Sequence, residues 1–482
     1  MSAANLTTAC EVLGTYVAQM HYGQLPPVVV ERAKLLILDS LGCTLGGSRS
    51  AWGDIVLRAA RAWIGAEQDG AECLSQHRRG LTGIVGTNWC TGVIDAAQVN
   101  ALLANCLDYD DTLYGHPGAV LVPSALALGD VLERSGAEVI AALVAGYEIA
   151  GRVSAASEPT PQCRQRVWGT GCRFAPGVAA VASSLLRLDP IPAAHALAIA
   201  GASGPLPSVC KSVYSLLGPS MVKNNYHMAV AAGVTAAYLA QQGFTGPLDL
   251  FEGPGAFGDM VGSDRWDATQ LTTGLGCTYQ VMAVSLKPYP CCRFSHAALE
   301  AALAIQREHA LKPDQITAIR VRTFSWAASG CFADPAPASM PAAQFSTVYC
   351  LAVALCGYSP GPSWFTAMTG ADTRVRRLTS CIELVPWPEY DARYQEGEWV
   401  AHVEIHAGGW TFTRLVRFPL GHPSNPMTTD AVLRKFDMQA IAALGEAQSR
   451  QVREAILRLE SLERVCELMP LLRSHVGRAT IN

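Results

Sequence analysis

The stretch Asn105–Pro123, NCLDYDDTLYGHPGAVLVP, sets Asp108, Asp110, Asp111, Thr112 and His116 close together and then turns on His116-Pro117-Gly118 into an apolar run. Before it, TGVIDAAQVNALLANCL carries Val93, Ala96, Val99, Leu102, Leu103 and Cys106 at helical spacing, which predicts a largely buried helix ending at the acidic cluster. After it, AVLVPSALALGDVLE reads as a second such helix, so a polar loop is held at both ends. Acidic side chains at a helix C-terminus oppose the helix dipole, which invites a functional explanation. The competing explanation is a solvated turn whose aspartates cap the next helix; the spacing leaves both open.

Working outward, the pattern stays helical through most of the first half. Pro26-Pro27 opens and Gly46-Gly47 closes a run in which Val30, Ala33, Ile37 and Leu41 share one helical face, with proline and glycine where a helix starts and stops readily. Further helix-like runs cover about 122–134, 137–155, 174–187, 192–203 and 225–242. Near residue 285 the texture changes. A proline-bounded loop, LKPYPCCRFSH, leads into a helix and then ITAIRVRTFS, where Ile319, Val321 and Thr323 alternate with Arg320 and Arg322 as in a strand with one wet face. WVAHVEIH and WTFTRLVRF, parted at Ala407-Gly408-Gly409, read as a hairpin. After Pro426 amphipathic helix returns, including SRQVREAILRLESLERVCELMPLL. The expected fold class is therefore mainly α with an inserted α/β domain, and 482 residues suit two domains.

Composition narrows the function. Apolar residues make up 50% and charged residues 16%, well under the roughly 25% of ordinary soluble chains, which implies a large helical core and a buried subunit face. A net charge of −4 without a basic stripe argues against a nucleic-acid surface. The longest apolar window, VIAALVAGYEIAG, contains Glu148 and falls short of a membrane span. The first residues show no leader pattern and Thr480-Ile481-Asn482 is no peroxisomal address, so a soluble, cytoplasmic protein with no membrane partner is expected. The 16 cysteines lie among apolar neighbours and read as reduced, buried small side chains.

Cys291-Cys292 lacks zinc or cluster spacing, no G-x-G-x-x-G follows a strand, and no P-loop or G-x-S-x-G is present. No cofactor and no metal are expected. What remains is cations near chain breaks: Lys223 beside His227, and Lys287 with Arg293 and His296. Any one lysine is most simply a surface charge. Together with His116 and the aspartates they supply carboxylate clamps and an acid/base group.

LDYDDTLYGHPG, ERAKLLILDSLGCTLGG, LFEGPGAFG and LKPYPCCRFSHAALEAAL, in that order, resemble the MmgE/PrpD family of 2-methylcitrate dehydratases, alkylcitrate dehydratases and cis-aconitate decarboxylases. The resemblance spans essentially the whole chain. It implies a helical domain from residues 1–284 and 424–482, an α/β lid over 285–423, a site between them, and a homodimer. It further implies catalytic roles for Asp108, His116, Lys223 and Lys287, and substrate contacts for Thr112 and His296, to which Arg293, Trp168 and His227 are added as candidates. Two departures stand out: Trp168 falls where related decarboxylases place a second histidine, and Ala328 or Ser329 where mammalian-type ones place a tyrosine. A one-residue shortening after Lys223 leaves the role of His227 open. A tryptophan cannot deliver the proton that decarboxylation needs. Dehydration of a citrate-type tricarboxylate, with an alkyl arm against Trp168, is therefore the expected reaction. Decarboxylation of cis-aconitate, isomerisation of another anion and a non-catalytic binding role are the alternatives.

Overall fold

The computed structural model describes residues 7–64, 80–223 and 225–474; the first residues and the tail tripeptide, where targeting signals were sought, lie outside these. The chain is mainly helical, with a two-stranded and a four-stranded sheet among the described residues. One apolar core draws on residues from Cys10 to Leu286 and again from Met427 to Leu472. A second draws on Cys291 to Val416.

The helices follow the apolar spacing closely: Pro27–Gly47, Val93–Asn105, Gly118–Val131, Gly136–Ala156, Gly171–Leu185, Pro190–Ser203 and Tyr226–Gln241. Ser135 and Glu138 form a capping box that starts Gly136–Ala156, satisfying amide groups the first turn would leave orphaned. That helix is long and apolar enough to cross a membrane, but 94% of its most apolar window is buried within the protein. It also carries a buried ion pair, Arg152 to Glu148 at 2.6 Å. Gly47 has a different role from a helix stop. A β-carbon there would lie 2.0 Å from the Leu103 carbonyl oxygen, so glycine is what lets Pro27–Gly47 approach the helix that leads into the acidic loop.

The four-stranded sheet runs Ile382–Pro386, Ile316–Thr323, Ala401–Ala407, Trp410–Val416, the first pair parallel and the others antiparallel. Val403 and Ile405 face inward with Ile319 and Val321, beneath helices His296–Glu308 and Thr347–Leu355. The hairpin turns on Gly408 and Gly409 alone, at φ 59° and 83°, the conformation of a two-residue hairpin loop. Three elements differ from the sequence expectation. Ile382–Pro386 and the short hairpin Leu81–Gly83 with Cys90–Gly92 carry no clear alternation. The last helix stops at Leu457 instead of continuing to residue 472, giving way to 3₁₀ turns. There the Leu457 carbonyl accepts from the Lys34 ammonium, which also pairs with Glu460. Most described cysteines are free and buried or half-buried, with Cys277 exposed; Cys90 departs from expectation in being disulfide-bonded.

Candidate active site

The acidic loop gives each aspartate a separate task. Asp108, at φ 50°, turns the chain in the left-handed region that Asp tolerates better than most residues. Its carboxylate accepts from Lys223 at 2.7 Å through Oδ1 and from Lys287 at 2.8 Å through Oδ2, and Lys287 also donates to the Asp108 carbonyl at 2.7 Å. Burial works to raise this carboxyl, but Lys223, then Lys287 and His116, hold it well below the usual carboxylate range. Asp110 accepts from Asn105 Nδ2 at 3.0 Å and lies 3.2 Å from His116 Nδ1. Asp111 accepts from the Gly118 amide at 2.8 Å and the Tyr147 hydroxyl at 2.6 Å, so it caps the next helix, while Asp108 and Asp110 face the charged groups.

The loop is braced from both ends of the chain. Lys435, on helix Thr429–Leu444, donates to the Tyr109 carbonyl and pairs with Asp39 of Pro27–Gly47, each at 2.6 Å. Thr112 forms an antiparallel bridge with Ser285, which sets Lys287 beside Asp108. Gln344 Oε1 accepts from Lys223 at 3.3 Å and its Nε2 donates to the Cys106 carbonyl at 2.6 Å.

Asp111 provides a stability test. Burial, with smaller contributions from Asp110 and Asp39, pushes its carboxyl up to about 7 against the pull of Tyr147. A group raised above its unfolded value of 3.8 holds its proton in the native state over a range where the unfolded chain has lost it. Its contribution is present at low pH and is lost as pH rises from about 4 to 7, by up to roughly 4 kcal/mol. Asp111→Asn should flatten that part of the curve of unfolding free energy against pH. A variant curve parallel to the parent's would reject the assignment.

These groups open onto a cavity of about 980 Å³. Asp108, Thr112, His116 and Lys223 line it together with the aromatic residues Trp168, Tyr214, Phe345 and Phe294, and the Lys223 ammonium lies 5.9 Å from the Phe345 ring. The Thr112 hydroxyl is buried without a hydrogen-bond partner at this wall. His116 lies edge-on to Tyr226 at 5.8 Å, and the Tyr226 hydroxyl is 3.0 Å from Thr170. His116 Nε2 is 3.6 Å from Asp108, beyond a hydrogen bond, so the histidine's orienting contact is Asp110. Trp168 stacks on Tyr214 at 5.8 Å with planes 10° apart, and its indole N–H has no partner.

Other expected site residues sit differently. Lys287 is fully buried behind Asp108 and does not line the cavity. Arg293 reaches the cavity wall, yet its guanidinium donates to the Leu286, Pro419 and Leu420 carbonyls, and burial lowers it to about 9. His296 is fully buried away from the cavity, between Arg293 and the Cys291 carbonyl, and burial holds it well below the ordinary imidazole range. His227 lies on helix Tyr226–Gln241 outside the lining. Tyr214, Gln344 and Arg164 were not singled out by sequence; Arg164 lines the cavity 5.4 Å from the Trp168 ring and donates to the Tyr394 hydroxyl. Among the described residues no group of three or more His, Cys, Asp and Glu side chains is arranged to hold a metal ion.

With this loop, lysine pair and two-core architecture in view, the chain belongs to the MmgE/PrpD family: the N-terminal domain profile matches residues 11–269 and the C-terminal profile residues 289–461. It is 25% identical over 476 residues to a cis-aconitate decarboxylase of Aspergillus terreus, covering 93% of this chain and 92% of that one. It is 26% identical over 488 residues to the cis-aconitate decarboxylase-like protein oryM of Aspergillus oryzae, covering 95% and 96%. The human cis-aconitate decarboxylase is 25% identical over 494 residues, covering 97% and 95%.

Proposed function

We propose that this protein is a lyase acting on a citrate-type tricarboxylate, and that it dehydrates an alkyl-substituted one. The observation that carries the reading is the charged pairing of Lys223 and Lys287 on Asp108 beside His116, at the wall of a cavity that aromatic side chains also line. Asp108 and Asp110 balance the two lysines within the loop, but of these groups Lys223 brings an ammonium to the cavity wall, where it can meet a substrate carboxylate. Lys223 and the Thr112 hydroxyl would receive substrate carboxylates; Lys287 would hold Asp108 in place from behind. His116 would take the proton from carbon beside a carboxylate and return it to the departing hydroxyl, while the fixed cations stabilise the charge that builds on that carboxylate.

A six-carbon tricarboxylate would occupy only part of 980 Å³, and an apolar arm would find Trp168, Tyr214 and Phe345. The segment 285–423 would act as a lid on a body formed by 1–284 and 424–482, in a cytoplasmic homodimer, and the alkylcitrate reading suits a role in secondary metabolism. The names of the relatives favour a second reading, decarboxylation of cis-aconitate, which would use the same cations: carbon dioxide leaves, its bonding pair stays on the substrate, and a protonated side chain delivers a proton to carbon.

Incubating purified protein with 2-methylcitrate, a longer alkylcitrate and cis-aconitate separates the two. An unsaturated tricarboxylate from an alkylcitrate is expected; carbon dioxide and itaconate from cis-aconitate as the main products would reverse the order. Trp168→Ala should lower kcat/KM for the longer alkylcitrate about tenfold more than for 2-methylcitrate, the loss expected from uncovering one or two methylenes. Equal losses on both would exclude an arm-binding role.

A further inference from the structure

We infer that Asp110 is the positioning residue that fixes the tautomer of His116, and that Asn105 makes this selection one-way. The inference rests on the reading of His116 as the acid/base group. Asp110 is fully buried. Its Oδ2 is 3.2 Å from His116 Nδ1, and its Oδ1 accepts from Asn105 Nδ2 at 3.0 Å. A carboxylate can only accept, so His116 carries a proton on Nδ1, and in the neutral ring it presents the Nε2 lone pair on the side of Asp108. The ring's other neighbours do not compete for Nδ1: Asp108 lies 3.6 Å from Nε2 and Tyr226 meets the ring edge-on. Asn105 ends its helix one turn before the loop, so the donor that orients Asp110 is tied to rigid structure.

Asn105 makes the idea sharply testable. In Asp110→Asn, with Asn105 keeping its present orientation, the new amide offers its oxygen to Asn105 Nδ2, which turns its NH2 towards His116 Nδ1. That donor forces the proton onto Nε2 and removes the base from the cavity side. Removing Asn105 as well, in Asn105→Ala/Asp110→Asn, frees the amide to rotate and accept from Nδ1–H again. A second substitution at a buried site should therefore restore what the first one took away.

Long-range nitrogen–proton correlation spectra of histidine-labelled protein above neutral pH, with His116 identified by its loss in His116→Ala, read the tautomer directly. The wild type should show Nδ1–H, Asp110→Asn should show Nε2–H, and the double variant should return to Nδ1–H. On whichever of 2-methylcitrate, the longer alkylcitrate or cis-aconitate is turned over, Asp110→Asn should lower kcat by roughly 10²–10⁴-fold with little change in KM. The double variant should regain at least about tenfold of that, since one restored base position is worth that much. Wild-type His116 protonated on Nε2, an unchanged tautomer in Asp110→Asn, or a double variant no better than the single one would each overturn the inference. If instead His116→Ala keeps full turnover, the acid/base reading fails while the spectra still decide the tautomer.

Discussion

Asp108→Asn is expected to destabilise the protein by about 3–5 kcal/mol in denaturant unfolding at neutral pH and to abolish turnover. Among the described residues, this one carboxylate is the ion-pair partner of both Lys223 and Lys287, which are 5% and 0% exposed. Neutralising it leaves two ammonium groups close together out of water: the new amide oxygen can accept from one of them while its NH2 is turned on the other, and the remaining acceptors, the Gln344 side chain and the residue-108 carbonyl, are uncharged. Coulomb repulsion at short range and lost solvation then act in the same direction. Two further variants separate this cause from a general packing defect. Lys287→Met alone leaves Asp108 with Lys223. The double variant Asp108→Asn/Lys287→Met leaves one unpaired charge in place of two, and should be more stable than Asp108→Asn alone, a positive coupling that independent sites would not give. Simple addition of the two losses would mean that the lysines do not share this carboxylate.

His116→Ala is expected to lower kcat by roughly 10²–10⁴-fold and to leave the fold intact. The imidazole is part-buried at the cavity wall, and its side chain is held by one hydrogen bond, to Asp110. Cutting it back opens the cavity and frees Asp110, which keeps Asn105. The change should therefore appear in turnover far more than in melting temperature. Ligand affinity should be nearly unchanged, because the cations that attract a polycarboxylate remain. A variant that turns over normally would remove His116 from the chemistry. One that fails to fold would show that the Asp110 contact carries more of the loop than its single bond implies.

Where a residue's environment is local, the sequence was readable. The apolar period placed the long helices, alternation placed strand Ile316–Thr323, and paired glycines placed the hairpin turn at Gly408-Gly409. Strand Ile382–Pro386 escaped because only some of its side chains are even partly buried and prolines crowd its end. It is ordered by pairing in parallel with a strand far earlier in the chain, which no local pattern records. The site divides in the same way. Asp108, Thr112 and His116 were visible as a cluster, and Lys223 as a cation at a chain break. What each aspartate does was not visible, since spacing cannot say which carboxylate meets Lys223, His116 or the Gly118 amide. Lys435, which braces the Tyr109 carbonyl from 326 residues away, and Gln344, which touches Lys223 across 121 residues, carry no sequence signal of their own. Arg293 and His296 were singled out as polar groups near the loop, yet the chain uses them to satisfy its own carbonyls.

Titration calorimetry with tricarballylate, a saturated tricarboxylate with no hydroxyl to lose, tests the central claim most directly. The wild-type protein should bind it. Lys223→Met should weaken binding by at least about thirtyfold, as expected when one partner of a buried charge contact is removed, while His116→Ala should bind nearly as well as the wild type. Tricarballylate that fails to bind, or that binds Lys223→Met as tightly as the wild type, would contradict the claim that the lysine-lined wall of this cavity receives a tricarboxylate.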